Sequence, residues 1–309
     1  MTLPRPVLPG EVVFVTRRVL HQHFLFRPDP AIRNAFLYLL AHYALAYGIQ
    51  VCAFLLMSDH YHLVFIDRDG CRPDFLRDFH RAFALFTQRL RCWQGSVWDG
   101  RQTTVDTLRS LDDELRALAY LTVNPVAAGL VRHERHWPGA RSDVRHMGHQ
   151  VLCAMRPTLW LDADHGDWPP AVRLELVNPP HLEALGEAGR VAMLQQLDKK
   201  RDEARNKVRE SRRGFLGAKA CGRVSPFDQP ISRTVPGQPA AHTDAPQRRT
   251  GPWTSESCRA RATQRRAWLE AYRAARTQWR RDNRLVAFPA GTWMMVRAHA
   301  VRVEQPPPI

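Results

Sequence analysis

The sequence predicts an α+β fold over about residues 1–145, followed by a mainly helical, partly irregular basic C-terminal region over 146–309. Three observations support this. Short apolar or β-branched runs alternate with longer stretches whose apolar residues recur at helical spacing. Turn-forming residues separate these runs. In the second half the composition shifts toward arginine, with a stretch rich in Pro, Gly, Thr and Gln at 229–252, which predicts a flexible linker.

The first half of the domain contains a strand, a helix and a hairpin. The β-branched run 12–19 predicts the first strand. Apolar residues at helical spacing over 30–47, followed by Gly48, predict a helix with a glycine C-cap. The short runs 51–57 and 61–66 predict two strands joined by a tight turn.

The second half of the domain adds a helix, a strand and a final helix. The predicted helix 73–93 is amphipathic, and 96–104 is strand-like. The last helix, 111–123, is predicted to stop before Pro125. The first six elements match the βαββαβ order of a ferredoxin-like split sheet, with the last helix added. This fold hosts many functions, so the function must be argued from the site.

Charge is distributed unevenly along the chain. The formal net charge is +15 and the isoelectric point about 10.4. About 21 Lys and Arg face about 20 Asp and Glu in the first 190 residues, against about 24 and 10 in the remainder. An excess of this size favours a polyanionic partner, most simply nucleic acid. We expect the C-terminal part to grip DNA, in particular a hairpin or repeat.

Several classes of protein are disfavoured. The N-terminus has no apolar signal-peptide core, and no run of about 18 apolar residues occurs, so a membrane protein is not expected. Six scattered cysteines form no C-x-x-C pair, which argues against a zinc knuckle or a thioredoxin-like motif. We expect a cytoplasmic, nucleoid-associated protein with reduced cysteines.

His60 and His62 are the first candidate site residues. Residues i and i+2 of a strand point to the same face, so both imidazoles can converge on one divalent cation or flank one phosphate. The alternative is a pair of strand histidines with structural hydrogen bonds, because H-x-H is a short and common pattern.

Tyr120 and Asn124 are the second candidate pair. At i and i+4 of a helix they share one face. A phenol oxygen can act as a nucleophile when a metal or base helps to remove its proton, and an amide oxygen is a hard ligand suited to Mg²⁺ or Mn²⁺. The alternative is a half-buried helix aromatic followed by an Asn C-cap.

Four ordered segments together resemble one family. The segment 55–64 (LLMSDHYHLV) resembles the HUH motif, two His around a bulky residue, of the single-tyrosine transposases, in particular the group associated with repeated palindromic elements. The segments 15–18 (VTRR), 95–101 (GSVWDGR) and 120–130 (YLTVNPVAAGL) resemble the first strand, the G-x-x-W-x-G-R segment and the catalytic tyrosine block of that family. The resemblance covers about residues 10–145.

The resemblance implies a phosphodiester transesterification on single-stranded DNA with hairpin or palindromic repeats. His60, His62 and Asn124 would hold a divalent cation, Mg²⁺ or Mn²⁺, which polarises the scissile phosphate. Tyr120 would attack the phosphorus to form a 5′-phosphotyrosine and a free 3′-OH. In related enzymes the His pair and the Tyr can come from different subunits, so a homodimer is a further expectation.

The sequence departs from the family pattern at two positions. Asp59 stands where Asn is more usual, and Ala127 replaces the commoner Arg, which would weaken contact with DNA. Asp59 could accept a hydrogen bond from an imidazole N–H, or it could simply be a turn residue.

Four further residues are candidates for DNA contact. Arg17, Arg18 and Arg101 would lie near the sheet and touch phosphates, unless they are solvated surface arginines. Trp98 could stack on an unpaired base, with a core tryptophan as the alternative.

Three other functions compete with a transposase, of which a metallohydrolase that releases a free 5′-phosphate is the least expected, because only two His and one amide are visible as ligands. Of the remaining two, one is a domesticated protein that binds DNA or RNA hairpins without cutting, although the intact His60, His62, Tyr120 and Asn124 argue against it. The other is a relaxase-like nickase, which the Tyr-x-x-x-Asn-Pro block disfavours.

Overall fold

The computed structural model describes residues 4–100, 103–159, 168–211, 214–230, 253 and 255–305. The strands are β1 Glu11–Arg18, β2 Ile49–Leu56, β3 His60–Asp67, β4 Thr104–Leu108, β5 Val151–Met155 and β6 Ala171–Glu175. The helices are α1 Pro30–Ala46, α2 Arg72–Arg91, α3 Leu111–Ala127, α4 Pro180–Ala184, α5 Gly186–Glu210, α6 Ala218–Cys221, α7 Ser255–Arg280 and α8 Met294–His299. None of the helices within these ranges is both long and apolar enough to cross a bilayer.

A four-stranded antiparallel sheet forms the centre of the fold. Its strand order is β2-β3-β1-β4. In β1 the apolar residues alternate between the two faces, as a strand buried on both sides requires. Val13 and Val15 belong to one hydrophobic core, and Val12 and Phe14 to the other.

The first core lies between the sheet and the pair α1 and α2. It is rich in aromatic side chains, among them Phe36, Phe79 and Phe83, which are fully buried. The hairpin of β5 and β6 also contributes to it through Ala154 and Leu174. Side chains of this size remove a large apolar area from water, so this core holds the sheet rigid.

The second core lies on the opposite face, where α3 packs against the sheet and α5 packs against α3. Leu118 and Leu121 of α3 meet Met193 and Leu197 of α5 in this core. Both cores therefore draw residues from each side of the predicted boundary at residue 145. The boundary itself stays a prediction.

The prediction of a strand over 96–104 is wrong. The strand forms at β4, and the preceding segment makes one isolated bridge, from Val19 to Trp98. Among the described residues 96–100, only Trp98 pairs in a bridge, and its buried ring anchors a loop. The other predicted elements of the domain agree with the structure within a few residues.

The predicted end of the last helix also needs correction. α3 continues through Pro125 to Ala127, because the backbone N–H of Ala128 still bonds to the carbonyl of Asn124. Gly129, with φ of +71°, then ends the helix in the left-handed conformation that glycine adopts without strain. Asn124 is thus kept within the helix and on the same face as Tyr120.

The C-terminal region contains a third, smaller core. Tyr272 of α7 packs with Phe288 and Met295. Val7 of the N-terminal segment donates its backbone N–H to the carbonyl of Gly291, at 2.9 Å, and so joins this region to the rest of the chain. Of the predicted linker 229–252, residues 231–252 lie outside the described ranges.

Candidate active site

The two histidines of the H-x-H motif lie at the start of β3, on the face that α3 covers. β3 is a central strand, and its register pairs His62 with Thr16 and His60 with Arg18 of β1. The two Nε2 atoms face each other at 3.1 Å. His62 is 2% exposed, whereas His60 is half-buried and borders the solvent.

Helix α3 brings the second candidate pair to the same place. The Asn124 amide nitrogen is 3.1 Å from His62 Nε2. The Tyr120 ring lies edge-on to His62, with 5.4 Å between the ring centroids. The structure thus brings Tyr120, Asn124, His60 and His62 of one chain together, although Tyr120 follows His62 by 58 positions in the sequence.

Helix α3 is fixed in place by a buried carboxylate as well as by apolar packing. Glu114 in its first turn is fully buried and accepts the backbone N–H of Leu182 at 2.9 Å and a hydrogen bond from His181 Nδ1 at 2.7 Å. These bonds join α3 to α4, and α5 packs behind both. The position of Tyr120 therefore depends on residues of the C-terminal region.

Two neighbours fix the orientation of the imidazoles. Asp59 Oδ1 lies 2.7 Å from His60 Nδ1, and Thr16 Oγ1 lies 2.8 Å from His62 Nδ1. A carboxylate only accepts hydrogen bonds, so His60 Nδ1 carries the hydrogen and its Nε2 carries a lone pair in the neutral ring. The Asn124 N–H donates to His62 Nε2, which therefore also carries a lone pair.

The donor set at this point fits a divalent cation. Two lone pairs that face each other at 3.1 Å repel unless a proton or a cation lies between them. Two nitrogens each about 2.1 Å from one cation would lie about 3 Å apart when they occupy neighbouring positions. The amide of Asn124 also carries an oxygen, a hard ligand. No group of three His, Cys, Asp or Glu suited to a metal occurs among the described residues, so this set would need the amide or the substrate as a further ligand.

The protonation states of His62 and Tyr120 suit a neutral metal ligand and a phenol that keeps its proton. Burial, together with the nearby His60 and Arg18, holds the pKa of His62 well below 6.5, so its ring is neutral at physiological pH. Burial raises the pKa of Tyr120, and Arg18 and the Asn124 amide oppose this only in part. The phenol therefore keeps its proton until a cation or base assists its removal.

The predicted phosphate contact at Arg18 agrees with its position. Arg18 lies opposite His60 in the sheet, and its charge helps His60 to hold the pKa of Asp59 below its usual value and partly offsets the burial that raises the pKa of Tyr120. A guanidinium at this position is suited to binding a phosphate oxygen. A DNA contact of Arg18 stays a prediction.

Trp98 and Arg17 lie on the other face of the sheet. Trp98 is only 7% exposed and packs on Phe26 with 5.2 Å between ring centroids, so its proposed stacking on a base does not fit and the alternative of a core tryptophan does. Arg17 Nη1 donates to His80 Nδ1 at 2.6 Å and lies over Trp98. Arg101 lies outside the described residues.

Sequence reasoning did not identify Phe14 and Thr16 as site residues. Phe14 stacks on His62 at 5.4 Å and meets Tyr120 edge-on at 6.0 Å, so it forms the floor of the site. The only signal in the sequence is their i, i+2, i+4 spacing with Arg18, which puts all three on one face of a strand. Their position opposite the histidines depends on the strand register, which the sequence does not show.

Comparison with known proteins adds two solved structures. No family model and no curated protein matches the chain. One structure is a REP-associated tyrosine transposase bound to a REP hairpin, 17% identical, with a TM-score of 0.39, covering 45% of this chain and 81% of that chain. The other, assigned provisionally as a transposase, is from Deinococcus radiodurans R1, 18% identical, with a TM-score of 0.28, covering 35% and 87%. Both are described as transposases, the class that the motifs resemble, but similarities this low do not support a functional argument. We therefore argue function from the motifs and the site geometry.

Proposed function

We propose that this chain is a DNA transposase of the single-tyrosine HUH type, which cleaves and rejoins single-stranded DNA with hairpin or palindromic repeats. One observation carries the proposal: the imidazoles of His60 and His62 and the side chains of Tyr120 and Asn124 converge on one point from β3 and α3. The four motifs that resemble the family lie in the same domain, on a sheet whose strand order suits the ferredoxin-like fold.

The family resemblance implies the following chemistry, and the positions of the side chains support it. The Tyr120 oxygen attacks the phosphorus and loses its proton to water, forming a bond to phosphorus. The bond from phosphorus to the 3′ oxygen breaks, and that oxygen takes up a proton. The products are a 5′-phosphotyrosine and a free 3′-OH. One ester replaces another, so rejoining by the reverse attack needs no external energy source.

The surrounding residues hold and orient the reacting groups. His60, His62 and the Asn124 amide would hold the divalent cation, Mg²⁺ or Mn²⁺, which supplies Lewis-acid polarisation of the phosphate when bound. Asp59 and Thr16 keep the Nε2 lone pairs directed into the site. Two imidazole ligands are softer than a usual Mg²⁺ shell, so we expect Mn²⁺ to support the reaction at least as well.

A covalent-trapping assay tests the proposal. Purified protein is mixed with labelled single-stranded hairpin DNA from the flanks of its own gene and Mn²⁺, then separated on a denaturing gel. We expect a shifted band that is lost in Tyr120→Phe and His62→Ala. The matched controls, Tyr47→Phe on α1's C-terminal end and His146→Ala at an exposed position, should retain it.

The other outcomes identify the competing functions. Hairpin binding without any covalent band would favour a DNA- or RNA-hairpin-binding protein that no longer cuts. A band that persists in Tyr120→Phe would exclude Tyr120 as the nucleophile and favour a nickase that uses another tyrosine. The resemblance also implies a homodimer. To test this, two versions of the chain that differ in size are mixed, and mass analysis shows whether a complex containing both forms.

A further inference from the structure

A basic cleft lies apart from the candidate active site. It has a volume of about 1190 Å³ and is bounded by the N-terminal segment, α2, β4 and one face of α7. Ten arginines and four acidic residues are among the described residues that line it. This excess of positive charge matches a polyanion.

Several of these arginines form no close ion pair with the described residues. Arg72 and Arg261 are neutralised by ion pairs with Glu11 and Asp113. By contrast, Arg265, Arg273 and Arg276 form no ion pair with any described residue, and Arg17 has only the more distant charge of Asp99. The buried Nε atoms of Arg17 and Arg265 also lack a hydrogen-bond partner in the described part of the chain. Buried donors without a partner are costly, so an acceptor from outside the chain would stabilise them.

The cleft also contains aromatic rings. Arg265, Tyr272 and Arg276 lie at i, i+7 and i+11 of α7, which places them on one face of the helix. Trp268 and Trp293 line the same cleft. Arginines that can hold a phosphate backbone, combined with rings on which bases can stack, are typical of sites for single-stranded nucleic acid.

The cleft and the candidate active site lie on opposite sides of the end of β1. Arg17 and Arg18 are consecutive, so their side chains point to opposite faces of the sheet. Arg17 lines the cleft, and Arg18 lies opposite His60. A DNA strand held in the cleft would have to pass around the sheet to reach Tyr120.

We propose that this cleft binds the backbone of a single DNA strand that flanks the segment cut at Tyr120. Arg17, Arg265 and Arg276 hold its phosphates, and the half-buried rings of Trp268 and Trp293 stack on its bases. The choice of DNA rests on the proposed function, whereas the binding of a single strand rests on the cleft alone.

The test measures binding of the full chain to a labelled oligothymidylate of about 15 nucleotides, in chelator, over a series of salt concentrations. The double variant Arg265→Gln/Arg276→Gln is compared with Arg259→Gln/Arg280→Gln, which removes the same charge from exposed α7 positions outside the cleft. We expect at least about fivefold weaker binding for the cleft variant only, and a salt slope reduced by about 1.4, because each phosphate contact on a single strand contributes about 0.7.

Three results would overturn the proposal: equal weakening in both double variants, tighter binding of a duplex of the same length, or tighter binding of the matched oligouridylate. If the cleft variant fails to fold, the single change at exposed Arg273 replaces it, with about twofold weaker binding expected. Covalent trapping separates this proposal from the proposed function. Cleft-dependent binding without an adduct would refute the transposase alone, whereas an adduct with unchanged affinity of the cleft variant would refute the cleft alone.

Discussion

Two polar clusters lie at the same end of β1 and β3, on opposite faces of the sheet, and each contains a buried histidine. His62 faces α3, and His80 of α2 faces the aromatic core. Both are almost fully buried, and burial lowers the pKa of both well below 6.5. Residue type, burial and charge state therefore do not distinguish them.

The difference lies in what their ring nitrogens contact. His80 uses both: Nδ1 accepts from Arg17 at 2.6 Å, and Nε2 donates to the Tyr61 hydroxyl at 2.5 Å. His62 also has both ring nitrogens in hydrogen-bond contact, Nδ1 with Thr16 Oγ1 and Nε2 with the Asn124 amide, but its Nε2 faces the Nε2 lone pair of His60 as well. Two imidazole nitrogens directed at one point can bind a cation, whereas the His80 nitrogens contact a guanidinium and a hydroxyl. Three predictions test this contrast.

The largest expected difference is in catalysis. We expect His62→Gln to slow formation of the covalent DNA adduct by about 10²- to 10³-fold, because loss of the ligand removes several kcal/mol of charge stabilisation. His80→Gln should keep the rate within about fivefold. Single-turnover assays at saturating Mn²⁺ measure both. Similar losses in the two variants would mean that the two faces of the sheet do not differ in function.

A smaller effect is expected from the residue that orients His60. Asp59→Ala should weaken Mn²⁺ binding by about 10-fold or more, because the carboxylate that holds the His60 N–H is lost. Calorimetric titration of the metal-free protein measures this. Asp69→Ala, in the exposed turn after β3, serves as the control and should bind Mn²⁺ like the unaltered protein. Unchanged affinity in Asp59→Ala would leave Asp59 as a turn residue only.

The smallest effect concerns stability and pH. Burial and Arg17 lower the pKa of His80 in the folded state, so below pH 6.5 the unfolded chain binds a proton that the folded chain does not. The contribution of neutral His80 is complete above pH 6.5, and the free energy of unfolding falls as the pH drops below it, by up to about 1.4 kcal/mol per pH unit.

Urea unfolding in chelator at several pH values measures this slope. His80→Gln removes the titrating ring, so its curve should fall less steeply and approach that of the unaltered protein as the pH decreases. Parallel curves would show that His80 does not titrate between the two states. His62 is present in both proteins, so its own titration cancels in the comparison.

Much of the domain was predictable because its signals are local. The helix 30–47 and the runs 51–57 and 61–66 show their period within a few residues, and the structure places α1, β2 and β3 there. The strand prediction for 96–104 was wrong because Val97 and Trp98 are apolar residues common in strands, but here they anchor a loop in the core. β4 (TVDTL) has only two apolar residues but three β-branched ones, and its pairing with β1 completes the sheet.

The candidate site, like the fold, was predictable only in part. The sequence by itself determined that His60 and His62 share one face of a strand and that Tyr120 and Asn124 share one face of a helix, because both spacings follow from backbone geometry. Only the tertiary structure decided that these faces meet, that Phe14 and Thr16 complete the site, and that Arg17 and Trp98 lie on the other side. The physical reason is that strand register and helix docking depend on contacts between residues far apart in the chain, which no local pattern specifies.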